Sequence, residues 1–299
     1  MIELTRRHSA GPARRARFAI HDIDLTVETD IDVAADAVSM SYAAFALPDM
    51  APDRAGFRLG AWRDGDRFRL IDHLGRVAVV ADETQAMLGL LDRVVAAVLD
   101  RLGGRGIVGT HAGVVEIRER AVLLAGRSGR GKSTLTLGLV RRGAGWLTDE
   151  LALIARDDRT VLPYPRALHV SPATVGLLPE LAFLHERPRH DLGGGSEWSV
   201  APEDLERAFG ARRSGPAPLA LVVLLDGDPD PTRDPEISPV SPALAAMELL
   251  RGTPAATRDF EGTMRRLSTI VGHVACVRLR AGELDRTAAA VEKVLAALP

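Results

Sequence analysis

Between Thr84 and Leu102 apolar residues recur at Met87, Leu88, Leu91, Val94, Val95, Val98 and Leu99, the 3.6-residue period of a helix with one buried face. Upstream, Arg67 to Ile71 and Arg76 to Val80 flank Asp72-His-Leu-Gly75 and read as a β-hairpin. Phe18 to Glu28 alternates in part like a strand, and Pro48, Pro52, Gly56, Gly60 and Gly65 mark turns around short strands. The linker Gly103-Gly-Arg-Gly106 closes this part, which is assigned to residues 1–103 as an N-terminal α+β module. Residues 104–299 begin with a strand pattern over Ile107 to Ile117, a charged turn at Arg118-Glu-Arg120 and a second apolar run, Ala121 to Ala125. Two strands joined so tightly pair as an antiparallel hairpin. A helix follows to about Arg142, stopped by Gly143-Ala-Gly145, and the short strand Trp146-Leu-Thr148 leads to Asp149 and Glu150. Leu219 to Leu225 and Val274 to Leu279 read as strands, with helices over Ala243–Arg251, Phe260–Ile270 and Thr287–Leu298. Residues 185–198, polar and rich in glycine, are expected to form a mobile loop.

The junction between the second hairpin strand and the following helix carries the chemistry. Gly126-Arg127-Ser128-Gly129-Arg130-Gly131-Lys132-Ser133-Thr134 fits G-x-x-x-x-G-K-[ST], the P-loop pattern, in the strand–loop–helix setting that pattern requires. Its glycines let backbone N–H groups turn onto phosphate oxygens at a helix N-terminus. Lys132 is expected at a solvent-facing position, reaching the β- and γ-phosphates of ATP, with the Ser133 hydroxyl on Mg²⁺. Composition sharpens this reading. Lys132 and Lys293 are the only lysines among 38 basic residues, so the general use of arginine has not displaced lysine from the loop. Asp149 and Glu150 follow Lys132 by 17 and 18 residues. Two adjacent acids at a strand end can divide the work of holding metal and deprotonating a hydroxyl.

A net charge of −2 gives no global attraction to nucleic acid or to acidic membranes. The single cysteine, Cys276, excludes an intrachain disulfide framework and fits a reducing compartment. No run of about 18 apolar residues could span a bilayer, and no signal-peptide pattern opens the sequence, so the expected location is the cytoplasm. Arg6, Arg7, Arg14, Arg15 and Arg17 form a basic N-terminal segment able to attract an acidic peptide.

From His111-Ala-Gly-Val-Val through the Gly126–Ser133 loop and Leu139-Val-Arg-Arg-Gly143 to Leu147-Thr-Asp-Glu150, about 45 residues, the chain resembles the catalytic domain of bacterial HPr kinase/phosphorylase and related serine kinases. The resemblance implies an α/β fold of the phosphoenolpyruvate carboxykinase type, a mixed-sheet P-loop core in which an antiparallel pair leads into the loop. It implies catalytic roles for His111, Lys132 and Glu150 and metal binding by Ser133; Asp149, the first of the two acids, is expected to bind metal and to share the catalytic role. Glu150 stands where the family has aspartate. The family's glutamate-containing signature has no match after Pro163, so the acceptor is not expected to be HPr. The chain looks more like related kinases of peptide natural-product pathways, which phosphorylate a serine of a precursor peptide.

The expected partner is thus a peptide or small-molecule hydroxyl acceptor, with no nucleic acid and no membrane; self-association into a homo-oligomer is left open. A small-metabolite kinase would use the same catalytic residues. A P-loop ATPase or nucleotide sensor would use Asp149 and Glu150 to bind metal and activate water. Arg127, Arg130, Arg166, Arg258 and Arg265 are the candidate arginines for phosphoryl charge.

Overall fold

A two-residue turn at His21 and Asp22, with His21 in the left-handed region (φ 56°), folds Phe18 to Glu28 back on itself. The segment is therefore a hairpin rather than one strand, β1 (Arg14–Ile20) against β2 (Ile23–Thr29), with buried Ile20 paired to Ile23. The computed structural model describes residues 13–48, 56–191 and 195–299. The chain divides into two compact units, the first ending at Gly104 and the second beginning at Arg105.

In the first unit, α1 (Asp32–Ser41) crosses from β2 to β3 (Phe57–Asp64), which pair in parallel. The antiparallel strands β4 (Arg67–Ile71) and β5 (Val77–Val80) complete a five-stranded sheet in chain order. Helix α2 (Glu83–Gly103) starts where Asp82 accepts a hydrogen bond from the Gln85 amide (2.8 Å) and lays Met87, Leu91, Val94 and Val98 against the core. Of the basic N-terminal segment, Arg14 is committed to Asp36 (2.7 Å), while Arg6 and Arg7 lie outside the described residues.

The second unit runs β6 (Ile107–Thr110), β7 (Gly113–Ile117), β8 (Arg120–Ala125), α3 (Lys132–Arg141), β9 (Gly145–Thr148), β10 (Ala152–Ala155), β11 (Thr160–Leu162) and β12 (Leu168–Val170). Then come α4 (Pro172–Leu177), β13 (His190–Asp191), β14 (Ser196–Val200), α5 (Pro202–Phe209), β15 (Ala217–Leu225), β16 (Glu236–Pro239), α6 (Pro242–Arg251), α7 (Phe260–Val271), β17 (Ala275–Arg280) and α8 (Leu284–Ala297). Strands β7 and β8 are antiparallel around Arg118 and Glu119, both left-handed (φ 53° and 63°), the backbone of a tight hairpin turn. Beyond β8 lie β15 and β17, both parallel to it in direction; β9 flanks β7. The unit is α/β with mixed sheets.

Alternation along β8 explains the layering. Val122 and Leu124 join a core with Leu135 and Leu139 of α3, Trp198 and Val291, while Ala121, Leu123 and Ala125 face Leu249 of α6 and Leu267 and Ile270 of α7. The apolar run Ile107–Ile117 differs from the single strand its pattern predicts. It breaks at His111 and Ala112: β6 pairs with β10, whereas β7 pairs with β8 and β9. Periodicity registers burial on both sides of the break and cannot register the change of partner. Residues 185–198 also differ from the expected loop. Their ends form the β13–β14 hairpin and only 192–194 lie outside the described residues.

Candidate functional site

The glycine-rich loop leaves β8 at Gly126, where a Cβ would come within 3.0 Å of Leu225. Gly129 and Gly131 are left-handed (φ 78° and 82°), a geometry that lets the loop close and α3 begin at Lys132. No side chain caps this helix, and its first amides lack intrahelical acceptors, so they are free for an anion. Lys132 is not solvent-facing. It is 7% exposed, and its Nζ donates to the carbonyls of Gly126 (2.9 Å) and Arg127 (3.3 Å). Burial lowers its pKa, and Asp149 opposes that shift. Arg127 and Ser128 are exposed, Arg130 is ion-paired with Asp228, and the Thr134 hydroxyl bonds that of Thr174 (2.8 Å). Thr134 thus faces α4.

Asp149 and Glu150 leave the end of β9 in different environments. Asp149 is 8% exposed, and burial pushes its pKa up to about 7; the neighbouring Glu150 adds to the rise, while Ser133, Thr136 and Lys132 oppose it. Its Oδ1 is buried with no hydrogen-bond partner among the described residues. Gly113 makes room for it. A Cβ there would stand 2.5 Å from Thr136 Oγ1 and 3.3 Å from Asp149 Oδ1. Gly113→Ala is expected to cost about 1–3 kcal/mol of stability through this overlap. A lower urea midpoint at unchanged slope would register it, and an unchanged midpoint would contradict it.

Glu150 pairs with Arg166 (2.9 Å), which is 8% exposed. Arg166 reaches it because the Pro163–Pro165 segment is tied to β9: the Tyr164 amide donates to Leu147 O (2.9 Å), and the Arg166 amide to Tyr164 O (2.8 Å). His111 occupies the break between β6 and β7, where its amide donates to Gly252 O (2.7 Å). Its pKa is lowered, first by desolvation of the ring and next by Lys132; Glu150 pulls the other way. The shift favours the neutral imidazole. A cavity of about 510 Å³ adjoins these groups, lined among others by His111, Gly126, Arg127, Ser128, Leu249 and Gly252.

The residues predicted from sequence thus divide. His111, Lys132, Ser133, Asp149 and Glu150 come together, and Arg166 joins them. Arg265 pairs with Glu261 on α7 (2.7 Å), both side chains being exposed. Thr136 escaped the sequence reading, although it lies one helical turn after Ser133 and so on the same face. For a divalent cation, the chemistry of the donors fits magnesium. Ser133 offers a hydroxyl and Asp149 an unsatisfied carboxylate oxygen, and no cluster of three His, Cys, Asp or Glu side chains suited to a metal exists among the described residues. Mg²⁺ takes few protein ligands and fills its remaining positions with water and phosphate oxygens.

No helix among the described residues is long and apolar enough to cross a membrane. No family model and no curated protein matches the sequence. Among solved structures, the Hpr(Ser) kinase/phosphatase from Coxiella burnetii is similar over 39% of this chain and 58% of that one, at 19% identity and a TM-score of 0.24. The chain spans little more than half the length of that protein.

Proposed function

We propose that this protein is an ATP-dependent kinase that transfers the γ-phosphoryl group to a hydroxyl, the serine of a peptide being the acceptor class favoured by the sequence resemblance. One observation carries the reading: the uncapped start of α3, the buried Lys132, and the unsatisfied Asp149 Oδ1 beside Ser133 converge on one point, with Glu150 at its edge. Loop amides and Lys132 bind the triphosphate, Lys132 exchanging the Gly126 carbonyl for phosphate oxygens. Ser133 and Asp149 would hold Mg²⁺, which would supply neutralisation of phosphate charge. Glu150, oriented by Arg166, accepts the proton of the attacking hydroxyl. The acceptor oxygen bonds to the γ-phosphorus as the bond to the bridging oxygen breaks, and that electron pair leaves on ADP. His111 donates a hydrogen bond to the phosphoryl oxygens in this reading.

Glu150→Gln keeps the shape and removes the proton acceptor. Turnover is expected to fall by about a hundredfold or more, while nucleotide affinity stays within about twofold. Mass spectrometry of serine-containing peptides after incubation with ATP and Mg²⁺ tests the class of reaction. A gain of one phosphate on an acceptor supports the kinase. ADP release with every acceptor unmodified would make the protein an ATPase, with Glu150 activating water.

A further inference from the structure

Strand alternation gives the small sheet β12–β14–β13 two unlike faces. Leu168, Val170, Trp198 and Val200 point into the core shared with α3. His169, Ser199 and Glu197 occupy the alternate positions, and His190 sits opposite Glu197 in register. Ser199 Oγ lies 3.2 Å from His169 Nδ1, which fixes the imidazole on this face. The face adjoins the reacting end of the site: Arg166, paired with Glu150 at 2.9 Å, stands two residues before β12 and three before His169, and Glu150 acts electrostatically on both His169 and Glu197.

We propose that this polar face is the acceptor subsite of the kinase, and that Glu197 selects a hydroxyl compound bearing a positive charge beside the hydroxyl. The proposal rests on the kinase reading above. Its charge balance is negative. Glu197 lies in the field of Glu150, and Arg166, the guanidinium that acts on His169, is already engaged by Glu150 at 2.9 Å. His169, whose pKa burial lowers to about 4, adds no charge at neutral pH. Glu197 is half-buried, and its side chain makes no ion pair or hydrogen bond among the described residues. The neighbouring arginines serve elsewhere: Arg187 binds Asp204 (2.6 Å), and Arg189 lies over the Trp198 ring (5.3 Å), which belongs to the opposite face. A carboxylate partly removed from water, beside a second carboxylate, gains most from a cation brought by the ligand. With the acceptor hydroxyl at Glu150, that cation falls next to the hydroxyl in the substrate. This chemistry has two sources, the α-ammonium of a small hydroxy-amine or a lysine or arginine side chain following the serine of a peptide.

Binding, measured without nucleotide, separates this subsite from the transfer reaction. Protein with ¹³C-labelled histidine is titrated by NMR with L-serinamide, N-acetylserinamide, acetyl-Ser-Lys-amide and acetyl-Ser-Glu-amide. At least one cationic probe should shift the His169 and His190 signals and bind about tenfold or more tighter than the neutral and anionic probes. Preference for L-serinamide assigns the charge to an α-ammonium, and preference for the Ser-Lys peptide assigns it to a side chain. Glu197→Gln, of the same shape, should abolish the preference while the melting temperature holds, and Lys132→Ala should retain it. Equal binding of all four probes, no binding by the cationic ones, or a preference that survives Glu197→Gln overturns the proposal. Failure of phosphoryl transfer with the charge preference intact falls on the kinase reading and leaves the subsite standing.

Discussion

Lys132→Ala is expected to lower phosphoryl transfer by at least about a hundredfold, several kcal/mol of transition-state stabilisation, while the fold persists. The ammonium is tethered to the Gly126 and Arg127 carbonyls and balanced by Asp149. Those carbonyls are weaker partners than a triphosphate, so Lys132 can transfer to phosphate without a large rearrangement. Burial strengthens its effect, because a charge with little water around it is screened less. Truncation also deprives two carbonyls of their donor, so a stability loss of about 1 kcal/mol should accompany the kinetic one. Single-turnover transfer from labelled ATP, with thermal melting as the control, measures both. A folded Lys132→Ala protein that still transfers phosphate at the wild-type rate would refute the loop's assignment.

What the sequence discloses, and what it withholds, follows from the range of the interactions involved. Helix α2 and the β4–β5 hairpin were legible because periodicity and turn chemistry are local, as was the β7–β8 hairpin leading into the loop. The position of His111 was legible as a motif and illegible as a conformation. The contact that holds its backbone is with Gly252, where a Cβ would lie 3.3 Å from the His111 amide nitrogen and carbonyl oxygen. Nothing within ten residues of His111 encodes that contact. The pairing of Glu150 with Arg166 was hidden likewise, since it depends on Tyr164 joining Leu147 across the end of β9. The expected solvent-facing lysine failed for a different reason. A motif specifies residue types, whereas the burial of Lys132 and its bonds to the Gly126 and Arg127 carbonyls depend on how the loop closes. The Gly-rich segment 185–198 looked like a loop by composition, yet Trp198 and the Ser199–His169 contact anchor its second half as a strand.

Asp149→Asn should produce opposite effects on function and on stability. Turnover is expected to fall by about a hundredfold or more, since the amide cannot supply the charge that Ser133 and the phosphates need beside magnesium. Stability of the nucleotide-free protein should rise at alkaline pH. The folded-state pKa of Asp149 is about 7 against an ordinary value of 3.8, so the folded protein binds this proton more tightly than the unfolded chain. Below the unfolded value both states are protonated and the group contributes nothing. As pH climbs towards the folded value the unfolded chain ionises first, and stability is lost progressively; beyond it the loss is complete, on the order of a few kcal/mol. Asparagine removes this penalty because it never ionises. His169 has the opposite slope: its pKa is lowered to about 4, so it weakens the fold as pH falls below its ordinary value of 6.5. The difference between variant and wild type isolates Asp149, since His169 is common to both. Urea unfolding should therefore give similar stabilities for the two proteins at about pH 4 and a more stable variant at about pH 8. Addition of ATP and Mg²⁺ should stabilise the wild type at about pH 8 and the variant far less. A variant less stable than the wild type at about pH 8 would mean that the buried carboxylate is already satisfied, and would remove Asp149 from the metal site.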